Sequence, residues 1–273
     1  MSVLLQISDT HFGTERPEVV EALVDLAAQQ SPDLIVLSGD ITQRARPAQF
    51  RAARAFVDRL QAPVLAIPGN HDIALFDLWS RFVRPYGRYS AAFGADLDPV
   101  FETHEWLVIG VNTTRYWRHK NGEVSAAQID RVSRRLAEAQ AGQLRAVVVH
   151  QPAAVTQATD RADVFKGHDE AIRAWAAAGA DVILGGHIHL PYTLAMNGLA
   201  RRLWVVQAGT AVSSRTRPGV PNSVNVLRWE PREAGARLSG HNAGPWASLE
   251  QWDYSPPQQR FALGMTTAIQ PQR

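Results

Sequence analysis

Val64-Leu65-Ala66-Ile67-Pro68-Gly69-Asn70-His71-Asp72 sets a buried-strand signal directly against polar residues that a strand does not need. Four consecutive apolar positions followed by Pro-Gly read as a short strand covered on both faces, ending in a sharp turn. The arrangement recurs along the chain. Run 3–7 precedes Asp9-Thr10-His11, run 34–37 precedes Gly39-Asp40, and run 146–149 precedes His150-Gln151-Pro152. Run 182–184 precedes Gly185-Gly186-His187-Ile188-His189, and 107–111 is a sixth apolar run. Between the runs lie helical patterns. Residues 17–28 place Val19, Leu23 and Leu26 on one face behind Pro17 and Glu18. The segment from Pro47 carries Phe50, Ala53, Val57 and Leu60 at helical spacing. Ser125 to Gln128 is a capping box ahead of Ile129, Val132 and Leu136, and 169–178 forms a helix stopped by Gly179. Such alternation predicts an α/β fold with parallel strands and helices on the sheet faces.

From about residue 191 the texture changes. Segments 192–196, 202–206, 224–229 and 237–239 read as successive strands, expected to be antiparallel and to form a second sheet packed on the first. From about Gly244 the pattern reads as irregular while holding Trp246, Leu249, Trp252, Tyr254 and Phe261. This divides the chain into a catalytic domain over 1–243 and a tail over 244–273 that packs on the body or on a neighbouring subunit, its last residues 270–273 loose.

Composition narrows the classes. Of 273 residues, 45% are hydrophobic and 20% charged, and a formal charge of +2 gives no broad basic face for nucleic acid. The chain has no cysteine, which excludes disulfides, thiolate metal sites and a cysteine nucleophile. No apolar run approaches the ~20 residues of a membrane span, so no membrane partner is expected. Residues 1–7 enter a strand without a basic region or cleavage site, which predicts a cytoplasmic protein.

In an open α/β sheet, ligands collect beyond the carboxyl ends of the strands. Five strand ends would deliver Asp9, His11, Asp40, Asn70, His150, His187 and His189 to one edge, with His71 and Asp72 beside them. Any one Asp-x-His or His-x-His arises often by chance; five such turns, each at a strand end, do not. Nitrogen and oxygen donors without thiolate suit Mn, Fe or Zn better than Ca or Mg. Seven ligands exceed one tetrahedral site, and divide sensibly between two divalent ions bridged by Asp40.

The order Asp-x-His, Gly-Asp, Gly-Asn-His-Asp, His, Gly-x-His resembles the calcineurin-like metallophosphoesterases over roughly residues 3–210. That resemblance implies a four-layer α/β/β/α sandwich of two mixed sheets flanked by helices. It implies one metal on Asp9, His11 and His189, a second on Asn70, His150 and His187, and Asp40 on both. Gly39-Asp40-Ile41-Thr42 with its Arg-rich sequel, and Ala208-Gly209-Thr210-Ala211 before Pro221-Asn222-Ser223, look like the small bacterial phosphodiesterases of the class III cyclic-nucleotide and glycerophosphodiester types. Gln151 departs from a His-His-Pro pattern common there.

The expected chemistry is in-line attack of a metal-bridging hydroxide on a small phosphodiester, with His71 protonating the leaving alkoxide and Asp72 orienting its ring. A phosphomonoesterase, a nuclease and a non-catalytic metal-binding interaction module are the alternatives. Asn70, Arg115, Tyr116 and Arg215 are candidate substrate contacts; a homo-oligomer is the candidate assembly. Arg44, Arg46 and Arg51 read as a solvated helix entrance, and His104, His119, His168 and His241 match no ligand position.

Overall fold

A computed structural model describes residues 1–75, 77–231 and 246–272. Twelve described strands form two six-stranded sheets. In the first, β1 (Ser2–Ile7) lies parallel to β2 (Leu34–Ser38), which lies parallel to β3 (Val64–Ile67). On its other side β1 runs antiparallel to β10 (Ser223–Glu230), followed by β11 (Trp246–Ser255) and β12 (Arg260–Ile269). The second sheet runs β4 (Val100–Glu102), β5 (Trp106–Gly110), β6 (Leu144–Val148), β7 (Val182–Gly185), β9 (Leu203–Gln207), β8 (Tyr192–Met196). Its four central strands are parallel and its two edge strands antiparallel.

The period-2 alternation of strand side chains sorts the core into three bands. Leu4, Val36, Ile67, Val108, Val148, Leu184 and Trp229 fill the space between the sheets. Leu5, Ile7, Ile35 and Leu37 face outward under α1 (Pro17–Gln30) and α2 (Pro47–Asp58), meeting Val19, Leu23 and Phe50. Ile109, Val147 and Ile183 do the same under α5 (Ala126–Ala137) and α6 (His168–Ala178), against Val132, Leu136 and Trp175. The result is helices, sheet, sheet, helices: the four layers the resemblance implies.

Three expectations change. The second sheet does not begin near residue 191; it begins with β4, and the chain returns to the first sheet at β10. Strand propensity reports pairing and burial but not which sheet a strand joins, and β9 settles parallel to β7. The segment after Gly244 is not irregular over its described part: β11 and β12 form an antiparallel hairpin that extends the first sheet. A register shift at Gln251/Trp252 and the solvent-facing Leu263 and Met265 blur its alternation. Two short helices, α3 (Leu78–Val83) and α4 (Gly87–Phe93), give no clear periodic signal, being barely two turns each. The expected strand at 237–239 lies outside the described residues.

Candidate metal centre and the residues around it

The carboxyl ends of β1, β2, β3, β6 and β7 deliver their turns to one place. Backbone hydrogen bonds lace these turns together: Asp9 N–H donates to Gly39 O (3.1 Å), His11 N–H to Asp40 O (3.0 Å), and Gly186 N–H to His150 O (2.8 Å). The geometry demanded is costly. Asp9 (φ 52°), His11 (43°), Asp40 (49°), His187 (77°) and His189 (56°) all sit in the left-handed region that residues with a Cβ avoid. Each such residue stores roughly 1–3 kcal/mol, and strain of this kind collects at functional sites. The turns also admit no bulk. A Cβ on Gly69 would overlap the backbone nitrogen and Oδ1 of Asp40, and one on Gly186 would overlap Ser8 Oγ and Asp9 Oδ2.

Two groups of candidate metal ligands result: Asp9, His11 and His189, and Asp40, His150 and His187. Asp40 reaches toward both. Its Oδ1 is 3.2 Å from His150 Nε2, and its Oδ2 is 3.8 Å from His11 Nε2. In the first group His189 Nε2 lies 3.3 Å from Asp9 Oδ1 and 3.1 Å from His11 Nε2. In the second, Asn70 Oδ1 lies 3.2 Å from His150 Nε2. Ring orientation is set by carbonyls that can only accept: His150 Nδ1 donates to Ser38 O (2.9 Å) and His189 Nδ1 to Arg215 O. Each therefore presents Nε2 to the centre, the way metal-bound imidazoles are commonly aimed. Asp9 Oδ1 and both ring nitrogens of His187 are buried with no hydrogen-bond partner. Orphaned buried donors and acceptors are uncommon without a ligand to satisfy them, so this set fits divalent cations.

The electrostatics of these side chains alone are those of an unfilled charge network. Burial opposes ionisation of Asp9, yet His189 and His150 outweigh it and hold the carboxyl at about 2. Asp40 lies well below the ordinary carboxylate range, because His150, His71 and His11 outweigh its burial. Burial pushes His11 down to about 3 against the pull of Asp40 and Asp9, and lowers His187 as well. Burial works against charge on His150 too, but Asp40 lifts it to about 9; His189 is raised by Asp9 in the same way.

His71 stands just outside the ligands. Its Nδ1 donates to Gln43 O (2.8 Å), leaving Nε2 4.0 Å from Asp40 Oδ2 and 3.2 Å from an Arg215 nitrogen. Asp72 does not orient that ring, which corrects the sequence-based expectation. Its carboxylate accepts from the backbone nitrogens of Ile41, Thr42 and Gly69 and from the Thr42 hydroxyl, so it clamps the β2 turn to the β3 turn. Burial and Asp40 push its carboxyl up to about 6.

Of the candidate substrate contacts, Asn70 and Arg215 are brought to the centre. Arg215 also approaches His11 Nδ1 (3.4 Å) and donates to Gln43 Oε1 (3.1 Å). Arg115 instead donates to Asn112 O, Thr114 O and Gln128 Oε1, and Tyr116 packs edge-to-face on Phe82 and Trp117. Arg115 is claimed by acceptors near it in sequence, and Tyr116 packs between its neighbour Trp117 and α3.

Two sets of residues carried no sequence motif. Asp163 places Oδ1 3.5 Å from His187 Nε2 and 2.5 Å from Lys120 Nζ, backing a candidate ligand from an otherwise unremarked turn. Below the centre, Gln6 Nε2 donates to Gly185 O (2.9 Å) and Ser38 Oγ (3.2 Å), while Asn225 Nδ2 donates to Gln6 Oε1 (3.0 Å). Gln207 Nε2 donates to Gly186 O. These buried amides pin the two sheets together under the ligands. A polar residue inside an apolar strand, such as Gln6 between Leu5 and Ile7, was the available signal.

The calcineurin-like phosphoesterase family matches residues 2–191. The chain belongs to this family of hydrolases. It is 29% identical over 226 residues to a probable cyclic nucleotide phosphodiesterase from Synechococcus sp., spanning 82% of this chain and 78% of that protein. It is 30% identical to a cAMP/cGMP dual specificity phosphodiesterase from Mycobacterium tuberculosis, over 68% of this chain and 61% of that one. A glycerophosphodiester phosphodiesterase from Enterobacter lignolyticus is 36% identical over 81 residues, 26% of this chain and 29% of that protein. A dimetal phosphatase from Danio rerio shares the fold with a TM-score of 0.66 at 13% identity, covering 99% of both chains. No described helix of this phosphoesterase is long and apolar enough to cross a membrane.

Proposed function

We propose that this phosphoesterase hydrolyses small phosphodiesters at a dinuclear metal centre, consuming one water and releasing a monoester and an alcohol. The observation that carries the reading is Asp40, whose two oxygens reach toward the two ligand groups. Asp9, His11 and His189 would hold one ion, Asn70, His150 and His187 the other, and Asp40 both. The donors are imidazole nitrogens and carboxylate or amide oxygens, which favours Mn, Fe or Zn. When bound, such a pair lowers the pKa of a water from ~15.7 to near 7 and offsets the charge that develops on the phosphate.

The side chains do the rest. His71 Nε2 faces the centre, with Nδ1 held by the Gln43 carbonyl, so Nε2 is the atom that exchanges a proton with the leaving oxygen. Asp72 keeps His71 in place through the backbone, by tying Gly69 to Ile41 and Thr42. Arg215, beside His71, supplies a guanidinium for a phosphate oxygen. The names borne by the cyanobacterial, mycobacterial and enterobacterial relatives support a diester substrate of the cyclic-nucleotide or glycerophosphodiester class.

Arg215 also favours a second reading, a phosphomonoesterase, since a monoester carries one more negative charge to meet it. Metal-reconstituted protein assayed on bis(4-nitrophenyl) phosphate, 4-nitrophenyl phosphate, cyclic AMP and a glycerophosphodiester decides between them. Diesters should turn over with the higher kcat/KM; preference for the monoester would overturn the reading.

A further inference from the structure

Beside His71 the surface folds into a cavity of about 150 Å³. Asn70, a candidate ligand, and His71, which stands beside the ligands, both line it, so the cavity adjoins the candidate metal centre. Its walls come from three separate segments: Arg44 after β2, Arg81 on α3, and His119 on the loop before α5. Among the described residues no aspartate or glutamate lines it. Ile73 and Leu75 supply its apolar lining.

Arg81 is the decisive residue. It is 8% exposed, and among the described residues its guanidinium donates only long hydrogen bonds, to Ala74 O (3.3 Å) and Arg118 O (3.4 Å). Among the described residues no carboxylate pairs with it. Arg201 and Arg228, less deeply covered, each hold an acid: Asp181 at 2.9 Å and Glu250 at 2.8 Å. A buried cation without a counter-charge is expensive, and one lining a cavity is well placed to take an anion from a ligand.

We propose that this cavity is the leaving-group subsite, and that it selects a small alcohol bearing a negative charge of its own. The assignment rests on the diesterase reading above. His71 lines the cavity beside the candidate metal centre; there the P–O bond to that alcohol breaks, the bonding pair goes to the alcohol oxygen, and His71 Nε2 delivers the proton. A volume of about 150 Å³ is half or less of the ~300–1,000 Å³ of most small-molecule pockets, and about what a benzene ring fills. It therefore suits a short carbon skeleton. Cationic alcohols are disfavoured by the same arginines that hold an anionic one.

The test compares methyl 4-nitrophenyl phosphate with its 3-carboxylate on the Mn-loaded protein, because the two leaving phenols differ mainly in the added charge. Wild type should favour the carboxylate by about 10–100-fold in kcat/KM, the range of one charge-assisted contact. Arg81→Gln should bring that ratio to within about threefold of unity, while Arg81→Lys, a point charge without the fork, keeps part of it. A wild-type ratio near one, or a ratio unchanged in Arg81→Gln, overturns the subsite even as both diesters turn over. Should Arg81→Gln fail to fold, the wild-type ratio and Arg81→Lys decide. Turnover of 4-nitrophenyl phosphate but of neither diester would remove the diesterase reading, and the subsite with it.

Discussion

The candidate metal ligands and the wall beside them are built in opposite ways. Asp9, His11 and His150 are wholly buried and Asp40 nearly so, each at the end of a central strand. Across the opening, α3 leaves Leu78, Trp79, Phe82 and Val83 between 52% and 77% exposed, on a two-turn helix hung between β3 and β4. The first region has its geometry dictated by the sheets and by turns strained into positive φ. The second belongs to the connection between β3 and β4, outside both sheets. On the proposed reading, a scaffold of this kind separates two questions: strand ends would decide whether a phosphate ester is cleaved, and the α3 wall which one.

Substitutions in the two regions should therefore differ in kind. The largest effect is expected for Asp40→Ala, which removes the oxygens shared by both ligand groups. Elemental analysis should find fewer than two ions per chain, with activity down by more than ~10³. Full metal content in that variant would contradict the bridge. Next comes His71→Ala, expected to cost ~10²–10⁴ on a diester with a poor leaving group and less on nitrophenyl esters. Equal losses on both would leave His71 a phosphate contact rather than a proton donor.

A smaller effect belongs to Asp163→Asn, at the border between the regions. Calorimetric titration should show metal affinity weakened by ~10–100-fold, the usual cost of removing a carboxylate behind a ligating imidazole. Unchanged affinity would assign Asp163 to Lys120 alone. The same titration has a defined pH dependence. Asp40 raises His150 to about 9, so below that pH an incoming ion must displace a proton from it. Apparent affinity should climb with pH, by up to about tenfold per unit from this group, and level off near 9. A flat profile would mean that His150 is not a ligand.

How much was legible in the chain follows from how local each signal is. Asp9, His11, Asp40, Asn70, His150, His187 and His189 each directly follow an apolar run, so strand and ligand are read together. Gly69 and Gly186 sit in the same turns and could be anticipated as tight approaches. Arg215 could be singled out, but its reach to His71 across 144 residues could not. Asp72 was misread because its neighbour in sequence, His71, is not its partner in space. Arg44, read as solvated, and His119, which matched no ligand position, join one cavity wall only after β2, α3 and the loop before α5 are brought side by side.

Sequence alone thus determined the chemistry: short buried strands ending in His, Asp and Asn specify an α/β sheet edge that can hold metal ions, because period and turn composition are local properties. Tertiary structure alone decided the rest. It placed β10 beside β1 and the second sheet's start at β4, clamped Asp72 onto the β2 turn, turned Arg115 into its own loop and left Arg81 buried with no acid paired to it among the described residues. Each of those outcomes depends on which distant groups compete for a hydrogen bond or a counter-charge, and that competition is resolved only when the layers pack.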